Sequence, residues 1–288
     1  TYHTGSGLCG NCHNVTNRAV TLVKNGVDTG ILMPVERTYR EWQESSYSDS
    51  LSTGYRTCQE CHMPNVTIDS VYACTVKRNI RTNNMRIHQF AGGNAWVPDV
   101  LRQEYAALAL DENLMATRDW ALDMLQNHSA TVEVTAPANV EEGRALAVSV
   151  KVTNLTGHKL PTGYPEGRRM WLNVQVRDGS GALVWESGAY NPATGVLTHD
   201  NQAKVYEVKQ GIYNLNGTGA CDAADDNGTA IFHFVRNNCF ALDNRIPPLG
   251  FSGKDDVEIQ PVNYTYPETA TGSGVLVMTG KLGDTMKE

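Results

Sequence analysis

Beyond about residue 131 the chain alternates between apolar and polar positions. The stretches TVEVTA, LAVSVKVTN, MWLNVQVRD, ALVWES, KVYEVK, IFHFVR, DVEIQPV and GVLVMTG each read as a short strand with one face turned to a core. Gly, Pro, Asn and Asp punctuate them, as in RDGSGA and NGTGACDAADDNGTA. Strands this short and this regularly spaced predict an antiparallel sandwich of immunoglobulin-like type over 131–288. Just upstream the period lengthens. Leu114, Ala121, Leu122 and Leu125 recur at helical spacing, and Asp99 and Asp111 stand where they would cap two helices, so 99–130 is expected to be a helical connector. Residues 1–98 follow neither period. They are turn-rich and poor in aliphatic runs, apart from TYREWQESSYSDS, where Thr38 and Glu41 have capping-box spacing and Tyr39 and Trp42 share a face. The expected class is α+β, with an irregular N-terminal segment, a helical pair and a C-terminal β-sandwich.

A segment like 1–98 needs apolar material from elsewhere to build a core. Its cysteines suggest the source. The chain has seven cysteines in 288 residues, and four of them fall in two five-residue frames, CGNCH (Cys9 to His13) and CQECH (Cys58 to His62). CxxCH is the attachment frame of c-type haem. Two thiols add to the two vinyl groups on one porphyrin edge, and the adjacent histidine falls beneath the ring to bind iron. Cys9 and Cys12 would tether one haem with His13 as proximal ligand, and Cys58 and Cys61 a second with His62. A CxxC pair alone also suits a redox dithiol or half of a zinc site. Those readings leave the repeated histidine unexplained. The expectation is two covalently attached haem c groups.

Each iron then needs a sixth ligand or an open face, a choice that separates an electron carrier from a catalyst. His88 lies in NMRIHQFAGGNAW, where Gly92 and Gly93 permit a tight turn beside a flat cofactor and Arg86 offers a propionate partner. His158 lies in the shaped loop NLTGHKLPTGYPEGRRMW, with Lys159, Arg168 and Arg169 as further cations. His3 is too near Cys9 to reach the far face of that haem, but it suits the second haem or one in another subunit. His128 reads as a helix end, His199 as a loop residue and His233 as a strand residue. Met33 in GILMP resembles the Met-Pro element of small single-haem cytochromes, an alternative ligand.

Of the remaining cysteines, Cys221 and Cys239 flank one loop and form the expected disulfide, leaving Cys74 over. DAADDNG (Asp222 to Gly228) lacks EF-hand spacing and reads as a solvated acidic turn. Sequons occur at Asn154 and Asn263. The net charge of −7 and the lack of a basic run argue against nucleic acid. No run of apolar residues is long enough to span a bilayer. The chain begins at Thr1 without a signal peptide, as after removal of an export segment, and haem attachment of this kind belongs outside the bacterial cytoplasm.

Taken together, LCGNCHNV, TYREWQESSY, TCQECHMP, RIHQFAGGN, GHKLPTGYPEGRRMWL, KVYE and DNRIPPLGF resemble the multihaem c-type cytochromes of metal- and sulfur-respiring bacteria. The resemblance implies a haem segment followed by a β domain, histidine on both faces of iron, and electron transfer with other cytochromes or redox proteins in the periplasm or outside the cell. Such relatives often hold four or more haems, and some polymerise into filaments in which a histidine of one subunit ligates a haem of the next, a role open to His3. Two other functions compete with the carrier. A multihaem oxidoreductase would act on a nitrogen or sulfur oxyanion at an open-faced haem. A binding module would use the sandwich and keep the haems as staples.

Overall fold

The computed structural model describes residues 2–66, 71–74, 76, 80–81, 85–139, 141, 146–198, 200, 202–231, 233–266 and 275–281. His199 lies outside them. The fold is α+β, with short helices and several small antiparallel sheets.

The first helix, α1 (Gly7–Gly10), carries Cys9. It is followed by a hairpin of β1 (Thr16–Lys24) and β2 (Val27–Pro34). This hairpin was not expected, although its turn is written in the sequence. Asn25 and Gly26 take φ of 50° and 79°, the two positive angles that a type I′ turn requires. Next come α2 (Thr38–Gln43) and α3 (Cys58–His62), the second carrying the whole CQECH frame. A two-residue pairing of β3 (Val71–Tyr72) with β4 (Ile80–Arg81) ends this part. The helical pair is α4 (Val97–Glu104) and α5 (Asp111–Asp123). Here Asp99 and Asp111 do not cap. They lie inside the first turns and pair with Arg102, at 3.0 and 2.6 Å. Of the apolar stripe only Ala121 is buried, and Leu125 is exposed.

The β-rich half contains β5 (Ala130–Thr135), β6 (Ala147–Asn154), β7 (Arg169–Trp171), β8 (Val174–Arg177), β9 (Leu183–Ser187), β10 (Tyr190–Asn191), β11 (Val196–Leu197), β12 (Val205–Tyr213), β13 (Cys221–Asp222), β14 (Cys239–Asp243) and β15 (Val275–Lys281). β6 lies between β5 and β15, while β12 pairs with β7, β13 and β14. The remaining strands form the hairpins β8–β9 and β10–β11. Three expected strands differ. MWLNVQVRD is split between β7 and β8, which join different sheets. In IFHFVR, Phe232 lies outside the described residues and 234–236 form a turn, with Arg236 and Asn237 N–H donating to the His233 carbonyl. DVEIQPV is a turn with an isolated bridge at Val262. In both turns the alternation reflects contacts made side by side in a loop, a pattern that periodicity alone does not tell from a strand.

One apolar core joins the two larger sheets. Val152 of β6 and Tyr206 of β12 pack with Leu160, Ile246, Phe251, Ile259 and Tyr266. The segment before residue 98 is fastened to this half. Arg37 reaches Glu258 at 2.6 Å, Arg40 reaches Asp256 at 2.8 Å, and Val23 N–H donates to Asn238 O at 2.7 Å. Cys221 and Cys239 are joined by a disulfide that ties β13 to β14. Among the described residues no helix is long and apolar enough to cross a membrane.

Candidate functional site

In CQECH the cysteines stand three residues apart and the histidine follows the second. One helical turn places all three on one face, and α3 is that turn. Its start is fixed by a true capping box, in which the Glu60 carboxylate accepts from Thr57 N–H at 2.6 Å. The box expected at Thr38 and Glu41 is absent, because Glu41 is buried and used elsewhere. The CGNCH frame makes a similar turn, with Cys12 and His13 N–H donating to Cys9 O at 3.0 and 2.9 Å. Gly10 is required there, because a Cβ would lie 2.7 Å from the Tyr39 ring.

The two frames are neighbours in space. Cys58 N–H donates to Ser6 Oγ at 3.1 Å, and the Gln59 amide donates to the carbonyls of His3 and Gly5. Burial, against an opposing Ser6 hydrogen bond, and the adjacent Cys9 thiol push Cys58 up to about 11. Burial, then Glu60, also raises Cys61. A redox dithiol needs the opposite shift. Among the described residues no group of three or more His, Cys, Asp or Glu side chains converges as a metal site.

α2 connects the frames to the β-rich half. Tyr39 and Trp42 stack on each other at 5.6 Å rather than presenting a free face. Tyr39 N–H donates to His13 O at 2.9 Å. Trp42 donates its indole N–H to Arg56 O at 2.9 Å and lies so close to Gly157 that a Cβ there would be 2.8 Å from its ring. Glu41 accepts from Lys159 N–H at 3.0 Å and from Thr162 Oγ1 at 2.9 Å. One short helix therefore holds the first frame, the approach to the second and the loop that carries His158.

That loop is anchored by buried charge. Lys159, Glu41, Asp243 and Arg245 are 0, 1, 3 and 4 % exposed. Lys159 Nζ meets Asp243 at 2.9 Å, and Arg245 meets Asp243 at 2.8 Å and Glu41 at 2.9 Å. Two cations and two anions leave the cluster neutral, which is what makes its burial tolerable. Lys159 is thus withdrawn from any propionate, contrary to expectation. Arg86 is also engaged, donating to the Met63 carbonyl at 3.2 Å beside Glu60. Arg168 and Arg169 are exposed. Asn154 is no accessible sequon. It is 1 % exposed, and its amide donates to His158 O, Ile246 O and Pro247 O at 2.8, 3.1 and 3.2 Å.

His62 and His158 come together. Their ring centres are 6.3 Å apart and their planes 18° from parallel. His62 Nδ1–H donates to Ala91 O at 2.5 Å, and since a carbonyl only accepts, Nε2 carries the lone pair. His158 Nδ1 likewise faces Lys159 O at 3.2 Å and Thr156 Oγ1 at 3.1 Å. Burial above all pulls His158 down to about 4, favouring the neutral ring that ligates metal. Two imidazoles on opposite sides of one metal have centres about 6.4 Å apart, given a bond of about 2.0 Å and ~1.2 Å from ring nitrogen to centre. The observed spacing of the ring centres matches that value.

The other histidines are placed differently. His13 is 62 % exposed and its Nδ1 donates to Glu36 at 2.8 Å. His88 is exposed, its ring beside Phe90 at 5.6 Å. The segment around it brings Ala91 to His62. Ile87 N–H donates to Pro64 O, and Phe90 turns the chain at φ 48°, a role expected of Gly92 or Gly93. His3 is exposed, its ring against Tyr2. His128 ends the second helix and pairs with Asp123 at 3.1 Å. Met33 is fully buried. In DAADDNG, Asp222 and Asp225 are taken up by bonds inside the loop. Sequence reasoning missed Glu36, Glu41, Ala91, Asn154 and Asp243. Glu41 and Asn154 carried a sequence signal for another role, a capping box and a sequon, and Ala91 and Asp243 lay in stretches already singled out, whereas Glu36 lay two residues before TYREWQESSYSDS.

The sequence matches no family model and no curated protein. Among solved structures, a penta-haem cytochrome c552 from Thermochromatium tepidum is similar over 97 % of this chain, at 18 % identity and a TM-score of 0.45. This chain spans 45 % of that one's length.

Proposed function

We propose that the chain is a dihaem c-type cytochrome that carries electrons outside the cytoplasm. The observation that carries this reading is the His62–His158 pair, two rings at the spacing of a shared metal, each with Nδ1 engaged and Nε2 available. Cys58 and Cys61 would anchor a haem between them, and Cys9 and Cys12 a second haem with His13 as its proximal ligand. A haem c so held supplies a one-electron couple. The protein's part is to fix ligands, spacing and burial, so that little rearranges when charge moves. The closeness of Cys9 to Cys58 puts the two anchor points within one small region. The β-rich half, which we read as a sandwich domain over 131–288, then has a definite task in carrying the second ligand of the His62 site. His88 and His3, both exposed, remain ligand candidates for the opposite face of the His13 site and for a haem of another copy, respectively.

Intact-mass measurement and EPR of the native protein test this. Two covalent haem additions with low-spin signals are expected. A polypeptide with no added macrocycle would overturn the proposal. A high-spin signal that shifts with nitrite or cyanide would replace the carrier with an oxidoreductase at an open haem face.

A further inference from the structure

The two proximal histidines are backed by unlike acceptors. His62 Nδ1–H donates to a neutral backbone carbonyl, that of Ala91, and the opposing His158 also faces a carbonyl and a hydroxyl. His13 Nδ1–H donates to the Glu36 carboxylate at 2.8 Å. A carboxylate draws the Nδ1 proton harder than an amide oxygen does, and so leaves more electron density on Nε2. The contact is built rather than incidental. The Glu36 side chain is only 15 % exposed, although the His13 ring is 62 % exposed. Glu36 N–H donates to Val15 O at 3.1 Å, and Tyr39 N–H donates to His13 O at 2.9 Å, so backbone bonds fix both sides of the pair. Thr38 Oγ1 donates to the same carboxylate oxygen at 3.3 Å. At the His62 site no net negative charge stands behind the ring, since Arg56 and Arg86 both act on Cys61 against Glu60. Arg86 stands 3.9 Å from Glu60, and the buried cluster behind His158 is neutral.

We infer that Glu36 sets a difference in reduction potential between the two sites, holding the His13 site below the His62 site. An electron-rich axial ligand favours the ferric state, and second-shell hydrogen bonding is one of the levers by which a protein tunes haem. A single electron shared between the sites then rests at the His62 site, buried under the β-rich half, and the exposed His13 site is the donor side within the molecule. Glu36 is a positioning residue acting through His13. This inference rests on the dihaem reading above.

The test is a spectro-electrochemical titration of the holoprotein and of Glu36→Gln, with EPR of the oxidised forms. Glutamine keeps an oxygen that accepts from His13 and removes only the charge. The native protein is expected to titrate in two resolved waves. In E36Q the lower wave moves up towards the other, the upper wave stays, and only one of the two ferric signals changes. Movement of the upper wave, no movement in a variant that retains both haems, or a native protein whose waves coincide each overturns the inference while leaving the dihaem reading intact. Absence of haem from the native protein would refute the dihaem reading itself.

Discussion

The rings of His62 and His158 face each other across 6.3 Å although one belongs to a haem-attachment frame and the other to a loop of the β-rich half. Local bonds orient His158, but only long-range contacts bring the two rings together. His62 is aimed by Ala91 O, from a segment that runs back along α3, and His158 by Asn154 and by the charges behind Lys159. The candidate site is therefore made by the tertiary fold, and the haem segment cannot complete it without residues 154–162.

On the dihaem reading proposed above, His158→Ala should convert one of the two haems from six-coordinate low-spin to high-spin, leaving the other unchanged. Added imidazole should restore the low-spin state by filling the vacated position. Absorption and EPR spectra of the holoprotein read this directly. If both haems of the variant stay low-spin without imidazole, His158 is not a ligand.

Asn154→Ala should lower unfolding stability by about 1–3 kcal/mol. It removes a fully buried amide that donates to Pro247 O and gives a second hydrogen bond to His158 O and to Ile246 O, which keep Thr156 Oγ1 and Leu160 N–H as donors. Because one of those carbonyls belongs to His158, the low-spin spectrum should also soften earlier on heating than the far-UV signal does. A urea titration and a thermal scan followed at both wavelengths check the pair of effects. Loss of stability with coincident transitions would confine Asn154 to a packing role.

The chemistry of this site was partly legible in the sequence and its architecture hardly at all. CGNCH and CQECH stand out because a CxxCH frame is a local spacing, and in CQECH one helical turn puts its three side chains on one face. Strands such as Ala147–Asn154 and Val205–Tyr213 can be read because a half-buried strand must alternate. IFHFVR shows the limit, since its alternation belongs to a turn. The hairpin at Asn25–Gly26 was legible in its turn and overlooked because the segment around it seemed to lack strands. Glu41, Lys159, Asp243 and Arg245 could not have been read together. Each looks like a surface charge in its own neighbourhood, and only the fold makes them one neutral buried cluster. Lys159 was accordingly expected to serve a propionate.

Replacing Cys221 and Cys239 together with serine should cost about 3 kcal/mol in the loop-entropy account, for partners 18 residues apart. The bridge ties β13 to β14 and touches neither attachment frame, so haem content by mass and the low-spin spectrum should be unchanged at temperatures where the variant is folded. Denaturant unfolding under oxidising conditions gives the first quantity. A variant that loses haem while still folded would show that the bridge reaches further into the molecule than its position implies.

Asp243→Asn should be the most damaging of these changes, at about 3–5 kcal/mol, because it leaves Lys159 and Arg245 buried against the single charge of Glu41. The same pairing predicts a pH dependence. Burial alone would raise the Asp243 carboxyl, but Arg245 and Lys159 outweigh it and hold the group below its ordinary value. Although burial opposes it, Arg245 is kept above its own ordinary value by Asp243 and Glu41, so it stays charged throughout. A carboxyl depressed by folding binds fewer protons folded than unfolded between its two values. Its contribution is therefore complete above the unfolded value of about 3.9 and is lost as the pH falls through the lower folded value. Urea titrations of the native protein and of Asp243→Asn should show a constant gap from pH 7 to pH 5 that narrows below pH 4. A gap that narrows already near neutral pH would place the responsible titration elsewhere and refute the role given to this ion pair.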